Sequence, residues 1–283
     1  MPPEPESGPA TSSGEPTTPP GAPEVRSERI AHDGDAGAVV LLTVSDPRRR
    51  NAMTATLAEQ LVTAVRAASD DPSVHALVIT GEEPAFCAGG DLDELAAAGD
   101  AGPDALHGIY AGFLAVADCP LPVFAAVDGP AVGAGLNLAL AADVRLAGET
   151  ARFEPGFLRL GVHPGGGMTW MAQRLVGPQA TVAMLLGGEG LDATRAAEVG
   201  LALRVVPGDG ADGRSAAVTE ALRMARTSAK APRELVVATK ASIRTTSGLT
   251  EQAAAVEVEI GPQVESLRSE GFREGLARVR AKR

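Results

Sequence analysis

Twice in this chain a run of strand-forming residues gives way to a loop built of small residues, and the loop opens a helix. The first loop is Ala85-Phe86-Cys87-Ala88-Gly89-Gly90-Asp91, after a buried-type strand at 75–80. The second is Gly129-Pro130-Ala131-Val132-Gly133-Ala134-Gly135, between a strand at 122–127 and the apolar run 136–142. Strands that alternate with helices imply βαβ crossovers, hence an α/β fold with a mainly parallel sheet. A small-residue loop at a helix start leaves backbone N–H groups aimed at an incoming anion. Two such donors facing each other make an oxyanion hole, which points to chemistry on a carbonyl. Taken alone, Gly89-Gly90 is a tight turn ahead of a helix capped by Asp91 and Glu94.

The rest of the pattern fits that frame. Residues 39–44 read as a strand ended by Asp46-Pro47. From Thr54 to Ala68, Leu57, Leu61, Val62 and Val65 fall at helical spacing, with Thr54 as cap. Residues 144–147 form a short strand. From Met168 helices dominate: Asp192 caps one that ends at Gly200, residues 201–206 are another strand, and 213–230, 232–245 and 250–267 are helical. The last of these has the character of a packing or oligomer element. Residues 1–24 contain eight prolines and almost nothing to bury, which predicts a disordered tail. The organisation is therefore a tail at 1–24, a core carrying the site at 25–210, and a helical C-terminal region at 211–283.

Several function classes drop out. A net charge of −11 argues against a general nucleic-acid or anionic-membrane binder, although a local basic patch can still hold a phosphate. No Lys or Arg precedes Arg26 and no apolar stretch accompanies it, so no secretory signal is visible. The most apolar region, 121–142, is interrupted by Asp128 and prolines and reads as strand, loop and helix, not as a membrane span. Two cysteines, Cys87 and Cys119, suit a reducing, cytoplasmic setting. Gly133 and Gly135 lack the third glycine of a dinucleotide fingerprint, and no phosphate-loop Gly-Lys-Ser/Thr or Gly-x-Ser-x-Gly elbow occurs. No His/Cys cluster has metal spacing, so the expectation is no metal.

Seven segments carry a family resemblance: Arg50-Asn51-Ala52-Met53, residues 85–91, 126–135, Ala141-Ala142-Asp143-Val144-Arg145, 160–167, 191–206 and Phe272-Arg273-Glu274-Gly275-Leu276. In that order and spacing, from about residue 25 to 283, the chain resembles the enoyl-CoA hydratase/isomerase (crotonase) superfamily. The resemblance implies a spiral of ββα turns with a helical C-terminal part, assembled as a homotrimer or a dimer of trimers. It also implies an acyl-CoA ligand of fatty acid metabolism, with coenzyme A arriving as part of the substrate and no separate cofactor. By position, Gly90 and Ala134 match the residues whose amides hold the thioester oxygen. Arg50, Ala52, Phe86, Ala88, Asp91 and Leu92 match substrate-contacting positions. The resemblance puts the Arg48-Arg49-Arg50 loop near the CoA nucleotide; it is otherwise a solvated charge cluster, and Lys282 and Arg283 have the same two readings.

The departures from the family concern proton transfer. Its hydratases use two glutamates, and a gap-free count puts Asn137 and Phe157 in their places. Neither is an acid or base at neutral pH. Glu154 and His163 are the nearest substitutes, each with a structural alternative. Asp91 reads as a helix cap before a catalyst, Cys87 as a small buried thiol, and Trp170, Tyr110 and Phe113 as core or acyl-pocket lining. Three functions remain open: a hydratase- or isomerase-like enzyme with weak ordinary hydration, a non-catalytic acyl-CoA binding or carrier protein, and another reaction such as thioester hydrolysis or decarboxylation.

Overall fold

Alternate side chains along the central strands serve two different cores, and that alternation organises the whole fold. The computed structural model describes residues 22–281. In chain order its first elements are β1 (Glu24–Ile30), β2 (Ala38–Ser45), α1 (Ala55–Asp70), β3 (Val74–Gly81), α2 (Leu92–Ala101), α3 (Pro103–Asp118), β4 (Val123–Val127) and β5 (Pro130–Val132). The middle comprises α4 (Ala134–Ala141), β6 (Val144–Gly148), β7 (Arg152–Glu154), α5 (Phe157–Leu160), α6 (Met168–Leu185), β8 (Leu191–Asp192), α7 (Ala193–Glu198) and β9 (Arg204–Val206). Four helices complete it: α8 (Ala216–Ala229), α9 (Arg233–Thr246), α10 (Gln252–Arg268) and α11 (Glu270–Ala281).

Six strands form one sheet in the order β1-β2-β3-β4-β6-β9, parallel throughout except for the β1–β2 pair. This is the mainly parallel α/β sheet that the strand–helix alternation implies. Leu42, Leu77, Ile79 and Ala125 face the core shared with α1, α3 and α4. Val39, Leu41, Ala76, Val78, Phe124 and Ala126 face the opposite side, where α8 lays Ala217, Val218, Ala221, Ala225 and Ala229 against them. Period-two alternation requires both faces to be covered, and small Ala side chains let α8 approach closely. Of the helices from 211 onward, α8 packs into the sheet's core, while α10 and α11 bury no residue of their own.

A second sheet of three short strands, β5-β7-β8, stands beside the first. Its strands span two or three residues each, too few to leave an alternation in the sequence. The expected strand at 201–206 shortens to β9, because Leu201 and Ala202 are drawn into the core ahead of it. The chain pairs from Glu24, one residue inside the segment assigned to the tail, and residues 1–21 lie outside the described part, as do Lys282 and Arg283.

Two buried cations tie loops to the sheet. Lys240 on α9 donates to the Leu121 carbonyl and to Asp143, whose carboxylate also accepts from the Val123 amide at 2.8 Å. Arg145 donates to the carbonyls of Leu201 and Ala142, both at 2.6 Å. Burial pulls its pKa down to about 10, so it stays charged at neutral pH. Lys240→Ala should cost about 2–3 kcal/mol, below the full penalty of a stranded buried charge because Asp143 retains contact with water. Denaturant unfolding measures this, and a loss under about 0.5 kcal/mol would show that α9 does not depend on the anchor.

Candidate functional site

The two small-residue loops lie side by side because their backbones hydrogen-bond to each other. The Cys87 amide donates to the Pro130 carbonyl at 3.1 Å, and the Val132 amide donates to the Cys87 carbonyl at 2.9 Å. The first loop is also stitched to residues 50–53. Ala88 N donates to Arg50 O (3.0 Å), Met53 N to Gly89 O (2.6 Å) and Asp91 N to Met53 O (3.0 Å). Such zippering leaves no room for side chains. A methyl on Gly135 would overlap the Cys87 carbonyl, and Gly89 and Gly133 take φ values of 117° and 50° that favour glycine.

Gly90 and Ala134 are among the amides that this zipper leaves without a backbone partner. Gly90 lies between residues whose N–H groups or carbonyls are spoken for, and Ala134 is the first residue of α4. Among the described residues neither Gly90 N–H nor Ala134 N–H donates to another backbone group. Both residues line one cavity of about 370 Å³. Unpaired N–H groups are what a helix start and a loop crest supply, and the α4 macrodipole reinforces the one at Ala134.

The cavity wall is apolar apart from a few groups. Leu92 and Leu95 come from α2, Leu106, Ile109 and Tyr110 from α3, Phe157 and Leu160 from α5, and Val162, His163, Pro164 and Gly165 from the loop before α6. Asn137, one turn into α4, is 2% exposed. Its amide nitrogen donates to Gly165 O at 2.9 Å, while its oxygen has no partner. Among the described residues no Asp, Glu, Lys or Arg belongs to this wall. Of the α3 residues in the wall, Tyr110 was read from the sequence as core or acyl-pocket lining; Leu106 and Ile109 were not, although Leu106, Ile109, Phe113 and Val116 carry helical spacing behind Pro103 at the first position.

The other candidates separate into wall, support and outside. Ala88 and Leu92 line the cavity beside Gly90. Ala52 and Phe86 are buried behind the loop and support it. Arg50 takes a left-handed conformation at the end of a short 3-10 turn (Pro47–Arg49), with its side chain exposed and its carbonyl holding Ala88. Asp91 caps α2, accepting from the amides of Asp93 and Glu94 at 3.1 Å each, and lies 3.4 Å from Arg49. The reciprocal half of that capping pair is absent, since Glu94 instead accepts from the Ala55 amide at 2.7 Å and joins the starts of α1 and α2.

Glu154 lies in a smaller depression beside the cavity and pairs with Arg159 at 3.1 Å. His163 sits on the cavity rim, with Nδ1 2.8 Å from the carbonyl of Pro164. Phe113 is buried as expected of core, but Trp170 is 59% exposed and stacks under Arg174, whose guanidinium carbon is 3.8 Å from the ring centre. It belongs to neither core nor cavity, because α6 turns that face outward. Burial pushes the Cys87 thiol up to about 11, so it is an uncharged packing group. Among the described residues no three His, Cys, Asp or Glu side chains converge on a metal position, and no helix is long and apolar enough to cross a membrane.

Comparison with known proteins follows the same outline. A family model described as Enoyl-CoA hydratase/isomerase matches residues 34–283. A probable enoyl-CoA hydratase of Mycobacterium tuberculosis is 50% identical over 245 residues, covering 84% of this chain and 93% of that protein. The 2,3-dehydroadipyl-CoA hydratase of Escherichia coli is 41% identical over 173 residues, 60% of this chain and 67% of that one. Among solved structures, an enoyl-CoA hydratase from Bacillus anthracis superposes with a TM-score of 0.81 at 26% identity, covering 92% of this chain and 97% of that one. One from Polaromonas sp. JS666 gives 0.79 at 30%, with 91% and 97% covered.

The zippered loops make a direct prediction. Gly135→Ala should destabilise the protein by about 1–3 kcal/mol, because the added methyl forces α4 off the Cys87 carbonyl. Thermal or denaturant unfolding reads the loss, and a neutral outcome would mean that the loops are not in close contact. In the wild type, Cys87 should resist alkylation below about pH 9 until the chain unfolds.

Proposed function

The chain belongs to the enoyl-CoA hydratase/isomerase family, and from that premise we propose that it binds an acyl-CoA thioester in the 370 Å³ cavity while hydrating enoyl-CoA only weakly. The thioester oxygen is received by the backbone N–H groups of Gly90 and Ala134. Donors fixed in a water-poor cavity stabilise the negative charge that develops on that oxygen when an enolate forms at Cα. They need no side chain, so this part of the chemistry is indifferent to what occupies positions 137 and 157. Coenzyme A comes with the substrate, and no further cofactor is required.

The observation that carries the weak-hydration reading is that no carboxylate among the described residues lines the cavity wall. Hydration needs one group to take a proton from water and one to deliver a proton to carbon. Positioned acids and bases contribute about 10²–10⁴-fold each. Asn137 and Phe157 both line the cavity and supply neither function. Glu154 is turned to Arg159. The names of the relatives favour hydration as the second reading, and within the wall only His163 and Tyr110 could then carry a proton.

Self-association as a trimer, or a dimer of trimers, forms part of the proposal. Val256, Ile260, Val264 and Leu267 are exposed along α10, and Phe272 and Val279 along α11. Helices that bury nothing in their own chain are stabilised when a second copy covers them.

Three outcomes follow. Crotonyl-CoA hydration should run at least about 100-fold slower than in a relative carrying both glutamates; a normal rate in a direct absorbance assay would refute the weak-hydration reading. Ala134→Pro removes one oxyanion donor at the first helical position, where proline is tolerated, and should weaken acyl-CoA binding about tenfold in a folded protein. Light scattering should give a mass a multiple of three times the 28.7 kDa chain; a monomer would remove the trimer.

A further inference from the structure

One fully buried polar side chain clasps the approach to the first loop without lining the cavity. Asn51 follows the 3-10 turn at Pro47–Arg49, is 0% exposed and is not part of the cavity wall. Its Nδ2 donates to the carbonyls of Glu82 and Ala85, both at 2.7 Å, and its Oδ1 accepts from the Asp46 amide at 2.9 Å. Two carbonyls on one side and an N–H on the other fix the orientation of the amide. Both of its hydrogens and its oxygen are engaged. The backbone here is left-handed, with φ of 50° at Arg50 and 59° at Asn51, a conformation that asparagine tolerates better than most side chains.

The clasp and the main chain beside it frame Gly90 from one short segment. Glu82 and Ala85 lie on the stretch that leaves β3 and enters the loop. Beyond them, Ala88 N donates to Arg50 O, Met53 N to Gly89 O and Asp91 N to Met53 O. Residues 50–53 thus grip the loop itself, while the Asn51 side chain grips its entrance. The Gly89 carbonyl and the Gly90 N–H belong to one planar trans peptide and point in opposite directions. Holding that carbonyl on Met53 therefore aims the Gly90 N–H away from the frame. Without the Asn51 amide, the Glu82 and Ala85 carbonyls would lose a donor and the Asp46 amide its acceptor. Buried main-chain groups left unpaired are costly, and the entry segment would shift to recover partners.

We propose that Asn51 is a positioning residue for the Gly90 oxyanion donor. It acts on the ligand only through the backbone of residues 82–90, and its loss misplaces the donor without emptying the cavity. It touches no ligand atom, and no proton changes hands. The inference rests on the reading that the cavity binds an acyl-CoA thioester through Gly90 and Ala134.

Two ligands separate this role from a general structural one. Butyryl-CoA carries the thioester oxygen, and S-butyl-CoA is the thioether of the same chain length that lacks it. Calorimetric titration of the full-length wild type should show butyryl-CoA bound about tenfold tighter, through the two amide donors. Asn51→Asp keeps the size of the side chain but turns an oxygen toward the Glu82 and Ala85 carbonyls. Asn51→Gly removes the side chain and suits a φ of 59°. In each variant, checked for folding by its thermal transition, the preference should fall below about threefold while S-butyl-CoA affinity stays within about twofold of wild type. Equal loss for both ligands, an undiminished preference, or failure of both variants to fold would overturn the positioning role. Equal binding of the two ligands by the wild type would overturn the oxyanion reading and the role of Asn51 with it. Binding of neither would overturn the acyl-CoA reading itself.

Discussion

Everything about this site depends on the two backbone hydrogen bonds that hold Cys87 between Pro130 and Val132. They bring the crest of one loop against the start of α4. Each bond is worth only about 1 kcal/mol net, but together they fix a register in which Gly90 and Ala134 keep amides with no internal partner. The composition of both loops follows from that contact. Bulk at Gly135 would strike the Cys87 carbonyl and bulk at Gly89 would crowd Val132, while Cys87 is small enough to be buried completely. The segments are rich in Ala and Gly because two main chains must touch, and the free amides are the consequence.

A backbone site of this kind separates ligand class from reaction. The N–H groups are present whatever the side chains, so substitution at 137 or 157 leaves the proposed receptor for the thioester oxygen intact. Proton transfer is the reverse case, resting wholly on side chains. The family relationship therefore carries the ligand class, and the proposed weak hydration rests on the side chains alone. Around Asn137, Gly165 supplies the acceptor for the amide nitrogen, and a methyl on Gly166 would strike that nitrogen and the Phe113 ring.

Much of the fold was legible because the central strands are long enough to carry a pattern. The apolar runs around Val39, Leu77 and Val123 are strands buried on both faces, and Thr54, Asp91 and Asp192 cap the helices they precede. The β5-β7-β8 sheet was not legible, since strands of two or three residues have no period, and neither was β1, whose charged residues face solvent at the sheet edge. α3 had a readable signal in its proline start and apolar spacing, and it supplies Leu106, Ile109 and Tyr110 to the cavity. The backbone donors could be inferred from small residues in sequence. The cavity wall could not, because it is assembled from α2, α3, α4, α5 and the loop before α6, which only tertiary packing brings together.

The position of Asn137 shows why a gap-free count along the chain is a sound guide to place and a poor guide to role. The count puts Asn137 and Phe157 at the positions of the usual glutamates, and both line the cavity, while Glu154, at the end of β7, pairs with Arg159. A one-residue slip of β7 would break the Gly133 N–H to Glu154 O bond beside the Ala134 amide. Recruiting Glu154 by such a slip would therefore disturb the backbone that positions the Ala134 amide at the cavity.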